Sequence, residues 1–186
     1  LKLPSMIKAW LNPTITPEKL LMDYVSTGNK KYLTLLVEQF NLPLYHYLLS
    51  QSNKELAEDV LQTTWLKVMR NTSQEHSNVK SWLFTIARNT LIDELRHQKK
   101  WQMQELADEH TITVNLSREL AHTDKLAEFN EAVITLPFYQ REAFIFQQEG
   151  FSVMDICQLT DESFETVKSR LRYARNNLKK ILGTNE

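Results

Sequence analysis

The chain has 186 residues and a formal net charge of −1, and its 42% hydrophobic and 24% charged side chains suit a globular protein with a real core. Three glycines and five prolines are too few for a sandwich or barrel with many tight turns, and they speak against a glycine-rich phosphate loop. Cys157 is the only cysteine, so an intrachain disulfide is excluded and a reducing, cytoplasmic location is expected.

No metal site or cofactor is expected, because His46, His76, His97, His110 and His122 are scattered without ligand spacing. No apolar run approaches the ~20 residues of a membrane span, and the first residues carry no cleavable signal pattern, so no membrane insertion is expected. No set of nucleophile, base and orienting group can be assembled, so the chain does not read as an enzyme.

Residues 1–15, with Pro4 and Pro13, lack a sustained period and read as an arm. Thr16, Pro17 and Glu18 form a helix start, with a capping hydroxyl, a first-turn proline and an acid at the positive end. Leu20, Leu21, Tyr24 and Val25 give that helix an apolar face, and Gly28 ends it. The next helix carries Leu33, Leu36, Val37 and Phe40 and meets Pro43, which is expected to kink or break it before Leu44, Tyr47, Leu48 and Leu49. Ser52 and Glu55 have the spacing of a capping box ahead of Leu56, Val60, Leu61, Thr64, Trp65 and Val68. After a polar loop, Thr72 to Asn78, a fourth helix places Trp82, Leu83, Ile86, Leu91 and Leu95 on one period and ends in the basic stretch His97 to Lys100.

Residues 101–123 are polar and acidic with weak periodicity, as in an interdomain linker. Beyond them Leu126, Phe129, Val133 and Leu136 mark one helix, and Pro137 opens another with Phe138, Phe144 and Ile145 inward and Gly150 as terminator. The predicted fold is all-α: a four-helix bundle over 16–100 and a smaller helical unit over 124–183, joined by the linker.

The last segment is the most informative. Ser152 and Asp155 look like a capping pair, with Val153, Ile156 and Leu159 as the buried side of a short helix. Thr160 and Asp161 make a turn, and a second helix starts at Ser163 or Phe164. On it Val167, Leu171, Ala174, Leu178 and Ile181 recur at packing intervals, while Glu165, Lys168, Ser169, Arg172 and Asn176 recur on the opposite side. Lys168, Arg170, Arg172, Arg175, Lys179 and Lys180 face only Glu165 among acids there, so the near-zero net charge hides a basic helix. A short capped helix, a turn and a long basic helix in that order describe a helix-turn-helix able to present Lys and Arg to guanine edges and phosphates. A solvated basic surface helix is the plainer alternative for any such run.

Thr166-Val167-Lys168-Ser169-Arg170-Leu171, followed by Ala174-Arg175 and Leu178, resembles the recognition-helix segment of region 4 of bacterial RNA polymerase sigma factors, in the compact extracytoplasmic-function (ECF) type of the sigma-70 family. Leu136-Pro137, followed by Gln140-Arg141-Glu142-Ala143-Phe144, is similar to the preceding part of region 4. Ala57-Glu58-Asp59-Val60-Leu61-Gln62 with Trp65-Leu66-Lys67-Val68, and the run Trp82 to Arg96, resemble region 2. The chain departs from many members at Asp161 and Glu165, where glycine is common.

The resemblance implies an alternative sigma factor with core RNA polymerase and promoter DNA as partners, restrained by an anti-sigma protein. It implies that region 4 grips the minus-35 element as duplex, through Ser163, Glu165, Thr166, Lys168, Ser169, Arg170, Arg172, Arg175 and Asn176. Region 2 would hold the melted minus-10 strand, and Asn78, Lys80, Trp82, Arg88, Asn89 and Arg96 supply the polar, aromatic and cationic groups that this needs. By the same resemblance Asp59, Gln62, Thr63 and Leu66 would touch the polymerase. Without the motif, Asp59 and Gln62 read as ordinary surface, Trp82 as core, and Arg88 and Arg96 as surface partners of Asp93 or Glu94.

Overall fold

The computed structural model of the chain describes residues 15–70, 76–105 and 124–183. Over these it forms eight α-helices: α1 (Pro17–Thr27), α2 (Lys30–Gln51), α3 (Lys54–Arg70), α4 (Val79–Glu105), α5 (Asp124–Ile134), α6 (Phe138–Gln148), α7 (Val153–Thr160) and α8 (Phe164–Ile181). The remaining residues, including most of the expected arm and linker, lie outside the described ones.

Local chemistry accounts for most boundaries. Thr16 accepts from the Lys19 amide at 3.3 Å, and Gly28 closes α1 in the left-handed region at φ 66°, its amide reaching the Tyr24 carbonyl at 2.8 Å. Asn29 caps α2 through the Lys31 amide at 3.0 Å. At three points the structure narrows or departs from the expectation. Pro43 does not break α2, which runs through it for 22 residues. The penalty of an interior proline, ~3 kcal/mol for the missing amide donor and the ring clash together, is offset because Phe40, Leu44, Tyr47 and Leu48 on both sides of it are buried. Asn53, not Ser52, caps α3: its Oδ1 accepts from the Leu56 amide at 2.9 Å, while the Ser52 hydroxyl donates back to the Leu48 carbonyl at 2.8 Å. Finally, α4 continues past Lys100 to Glu105, into residues expected to begin the linker.

Leu20, Leu21, Leu36, Tyr47, Leu48, Val60, Val68, Leu83, Phe84 and Leu91 pack the interior of α1 to α4. Glu18 ties the ends of this bundle together by accepting from the Val79 amide at 3.1 Å. The same core continues into Ala143 and Phe146 of α6, Phe151 in the loop before α7, Ile156 and Leu159 of α7, and Val167 and Leu171 of α8. A second cluster, Ala132, Val133, Leu136, Phe144, Ala174 and Leu178, joins α5, α6 and α8. Helix α6 is therefore buried on two sides. Phe144 serves the C-terminal unit as expected, and Phe146, stacked on Tyr47 at 4.7 Å between ring centres, serves the junction with α2.

Candidate nucleic-acid and polymerase interfaces

The helix-turn-helix is built by reciprocal caps. Ser152 donates its amide to the Asp155 carboxylate at 2.8 Å and accepts from the Asp155 amide at 3.2 Å, a complete capping box. Hydrogen bonds from the Ser152 hydroxyl and amide hold the Asp155 carboxyl below its ordinary value. A depressed carboxyl contributes stability above its unfolded pKa and loses it as pH falls through the folded one. Asp155→Asn should thus lower Tm at pH 7 by on the order of a few degrees, as for a helix cap. The gap to the unsubstituted chain should close below about pH 4. Thermal melts of both proteins across that window check it, and a gap that persists at pH 2 would contradict the account.

Asp161 ends α7 in the left-handed region, at φ 54° and ψ 45°, the one non-glycine residue with positive φ among those described. Asp tolerates that geometry better than most side chains. Ser163 then opens α8, its hydroxyl accepting from the Thr166 amide at 3.2 Å. Val167, Leu171, Ala174 and Leu178 turn inward, leaving Glu165, Lys168, Arg172, Arg175 and Asn176 exposed and Thr166 and Ser169 half-buried.

Arg170 and Arg175 of the expected DNA-facing set are tied to residues outside α8. Arg170 is half-buried, 2.6 Å from Glu162 and 4.6 Å over the Tyr139 ring, so it braces α8 against the turn and α6. Arg175 donates to Gln147 Oε1 at 2.6 Å. Glu165 lies 3.9 Å from Lys168, an exposed pair that tempers rather than cancels the positive face.

On α3, Leu56, Val60, Thr64 and Val68 are buried. The opposite stripe carries exposed Asp59, Gln62 and Leu66 with half-buried Thr63, and Met69 extends it one turn on. An exposed leucine and methionine beside an acid and an amide form a surface suited to a protein partner.

The residues expected at a melted strand divide. Asn78 caps α4, its Oδ1 accepting from the Ser81 amide at 2.9 Å. Residues 71–75 of the loop before it lie outside the described ones. Trp82 is half-buried and packs against the bundle core, and the His76 ring stacks on it at 3.9 Å and 18°. Burial pushes the His76 imidazole below its ordinary value, which favours a neutral ring at pH 7. Sequence reasoning missed His76 because a lone loop histidine has no periodic partner. Asn89 and Arg96 are exposed, Arg96 with Asp93 at 3.9 Å.

Lys80 and Arg88 instead point at the C-terminal helices. The Lys80 ammonium donates to the Glu149 carbonyl and lies 4.8 Å over the Phe151 ring. Arg88 does not pair with Asp93 or Glu94; its Nε and Nη2 donate to the two carboxylate oxygens of Glu142 at 2.9 and 3.2 Å. Burial would lower the Arg88 guanidinium, but the hydrogen bond and charge of Glu142 outweigh it and hold it above its ordinary value. Tyr47 donates its hydroxyl to the same carboxylate at 3.0 Å, and burial first, then the Glu142 charge, pushes the phenol well above its usual range. Among the described residues no cluster of three or more His, Cys, Asp or Glu side chains could hold a metal ion, and no helix is long and apolar enough to cross a membrane.

A helix-turn-helix with a basic outer face, beside a bundle with an exposed partner-type stripe, defines a helical DNA-binding protein. Comparison with known proteins gives the family. Residues 36–100 match Sigma-70 region 2. The chain is 32% identical to the ECF RNA polymerase sigma factor EcfG of Rhodopseudomonas palustris (strain TIE-1), over 70% of this chain and 73% of that protein. It is likewise 32% identical to the ECF sigma factor SigM of Bacillus subtilis (strain 168), over 74% of this chain and 87% of that protein. Its fold is similar to that of the sigma factor RpoE of Bartonella quintana, solved in complex with the anti-sigma factor NepR: TM-score 0.70, 29% identity, covering 85% of this chain and 100% of that one. The chain belongs to the ECF-type RNA polymerase sigma factors of the sigma-70 family, alternative sigma factors that direct transcription initiation. That family consists of regulatory DNA-binding proteins rather than enzymes.

Proposed function

We propose that this chain works in the cytoplasm without catalytic chemistry of its own, bringing core RNA polymerase to promoters with two separate grips. Residues 16–100 act as the unit that binds polymerase and the melted minus-10 strand, residues 124–183 as the unit that binds the minus-35 duplex, with 101–123 as linker and 1–15 as an arm. The observation that carries this reading is α8, which buries Val167, Leu171, Ala174 and Leu178 and exposes Lys168 and Arg172 beside a capped turn. Ser163, Glu165, Thr166, Ser169 and Asn176 complete the duplex-facing set, with Arg170 and Arg175 positioning the helix through Glu162 and Gln147. Asn78, Trp82, Asn89 and Arg96, joined by Lys80 and Arg88 once these are released, serve the single strand.

Asp59, Gln62, Thr63 and Leu66 form the polymerase-facing stripe on α3. Asp59→Ala with Gln62→Ala should weaken binding to core polymerase by about tenfold, since both are exposed and make a few polar contacts at most. The circular dichroism spectrum should not change. Titration of labelled chain with core polymerase tests this, and transcription from a genomic promoter library tests the whole reading: no initiation at any promoter would defeat it. The sigma factor RpoE, solved with the anti-sigma factor NepR, supports an anti-sigma partner for this chain as well.

A further inference from the structure

The outer face of α8 carries one group that the polar set assigned to duplex DNA leaves out. Tyr173 is 51% exposed, although the side chains around it on that face are charged or polar. It lies four residues beyond Ser169 and three before Asn176, so the three follow one another along the helix surface. Both neighbours have shorter side chains, which leaves the ring open to whatever this face meets. Buried Val167, Leu171, Ala174 and Leu178 mark the opposite side, so Tyr173 is no stray member of the packed stripe. Phe164 gives the contrast. It is exposed as well, but buried Val167 and Leu171 stand three and seven residues on, and it borders the core rather than the outer face.

The other outer positions offer hydrogen bonds or charge. Lys168 and Arg172 donate, Glu165 accepts, and Ser169 and Asn176 do both. Tyr173 alone adds apolar surface there, with a hydroxyl at its tip. In the major groove the base edges show donors, acceptors and one apolar group, the C5-methyl of thymine. An aromatic ring laid on that methyl withdraws apolar surface of both from water. The ring also has a partner within α8, since the Arg172 guanidinium lies 5.2 Å from its centre. That cation covers one face and leaves the edge and the other face for a base. It also limits the rotamers of both side chains, so less freedom is lost when the helix docks.

We propose that Tyr173 is a specificity-determining residue whose ring reads the C5-methyl of a thymine in the promoter duplex. The inference rests on the duplex-binding role given to α8 under the proposed function. It goes beyond that role in assigning one base, and one chemical group on that base, to a residue outside the polar set.

The test starts from duplexes enriched out of a randomised DNA pool by the full chain bound to core polymerase. Each thymine of the enriched upstream element is then replaced by deoxyuracil, which lacks only the methyl. For the parent chain, one such replacement should lower affinity about fourfold, the factor that burying one methyl-sized group contributes. Tyr173→Ala should bind the thymine duplex at least as weakly as the parent binds the deoxyuracil one, and should no longer distinguish the two. Tyr173→Phe keeps the ring and should keep the discrimination. Circular dichroism should be unchanged in both variants, because the side chain is exposed. A deoxyuracil response that survives in Tyr173→Ala overturns the proposal and leaves the duplex role of α8 in place. So does a parent chain that ignores every replacement. If the parent enriches no duplex, or if its enriched duplexes bind the Lys168→Glu, Arg172→Glu variant just as tightly, the functional reading of α8 falls and the role of Tyr173 falls with it.

Discussion

Phe146→Ala is expected to cost about 3–5 kcal/mol, the range for removing a fully buried aromatic ring. Its ring is 0% exposed and touches Tyr47 of α2, Phe84 of α4 and Phe151 in the loop before α7. Those neighbours come from both sides of the seam between the bundle and the C-terminal helices, so relaxation cannot refill the space by moving one helix. Phe144, one turn face away, packs instead in the smaller cluster of α5, α6 and α8. Phe144→Ala should therefore loosen the C-terminal unit, while Phe146→Ala should also part it from the bundle. Urea unfolding followed by both fluorescence and circular dichroism separates the cases. A loss below about 1 kcal/mol at Phe146 would mean that the seam is not formed in solution.

Reversing both exposed cations of α8, Lys168→Glu with Arg172→Glu, is expected to abolish measurable duplex binding at physiological salt. Each substitution exchanges an attraction to phosphate for a repulsion, and the phosphate term dominates affinity. A loss of about a hundredfold or more is expected, with a shallower dependence on salt for what remains. Both side chains are exposed, so Tm should stay within a degree or two and polymerase binding should persist. Electrophoretic shift over a salt series checks this. Unchanged duplex affinity with an intact fold would move the DNA contact away from α8.

Signals that lie within a few residues of one another were legible in the sequence. The Thr16 cap, the Ser152–Asp155 box, the Ser163 start and the inward stripe of α8 each need only neighbours three or four residues away. Ser52 and Asn53 are adjacent residues of equal capping ability, and burial of Ser52 decided between them. Pro43 ends a helix on local grounds, and only tertiary packing carried α2 through it. The seam was out of reach for a different reason. Glu142 lies 54 residues from Arg88 and 95 from Tyr47, and in a Gln-Arg-Glu string it reads as a surface acid. Arg88 and Lys80 were recognisable as cations with work to do, but no local pattern names the oxygen that holds them.

Asp161 gives the turn a further consequence. The pitch at which α8 leaves α7 is set by one left-handed backbone residue, with Ser163 fixing the first turn beyond it. Neither depends on the outer side chains of α8. Glu165, Lys168, Arg172 and Asn176 can then be exchanged as interchangeable letters on a fixed typeface, so relatives could diverge in promoter preference while the frame that presents the letters stays the same. A β-branched residue at 161, by contrast, would tilt the whole line at once.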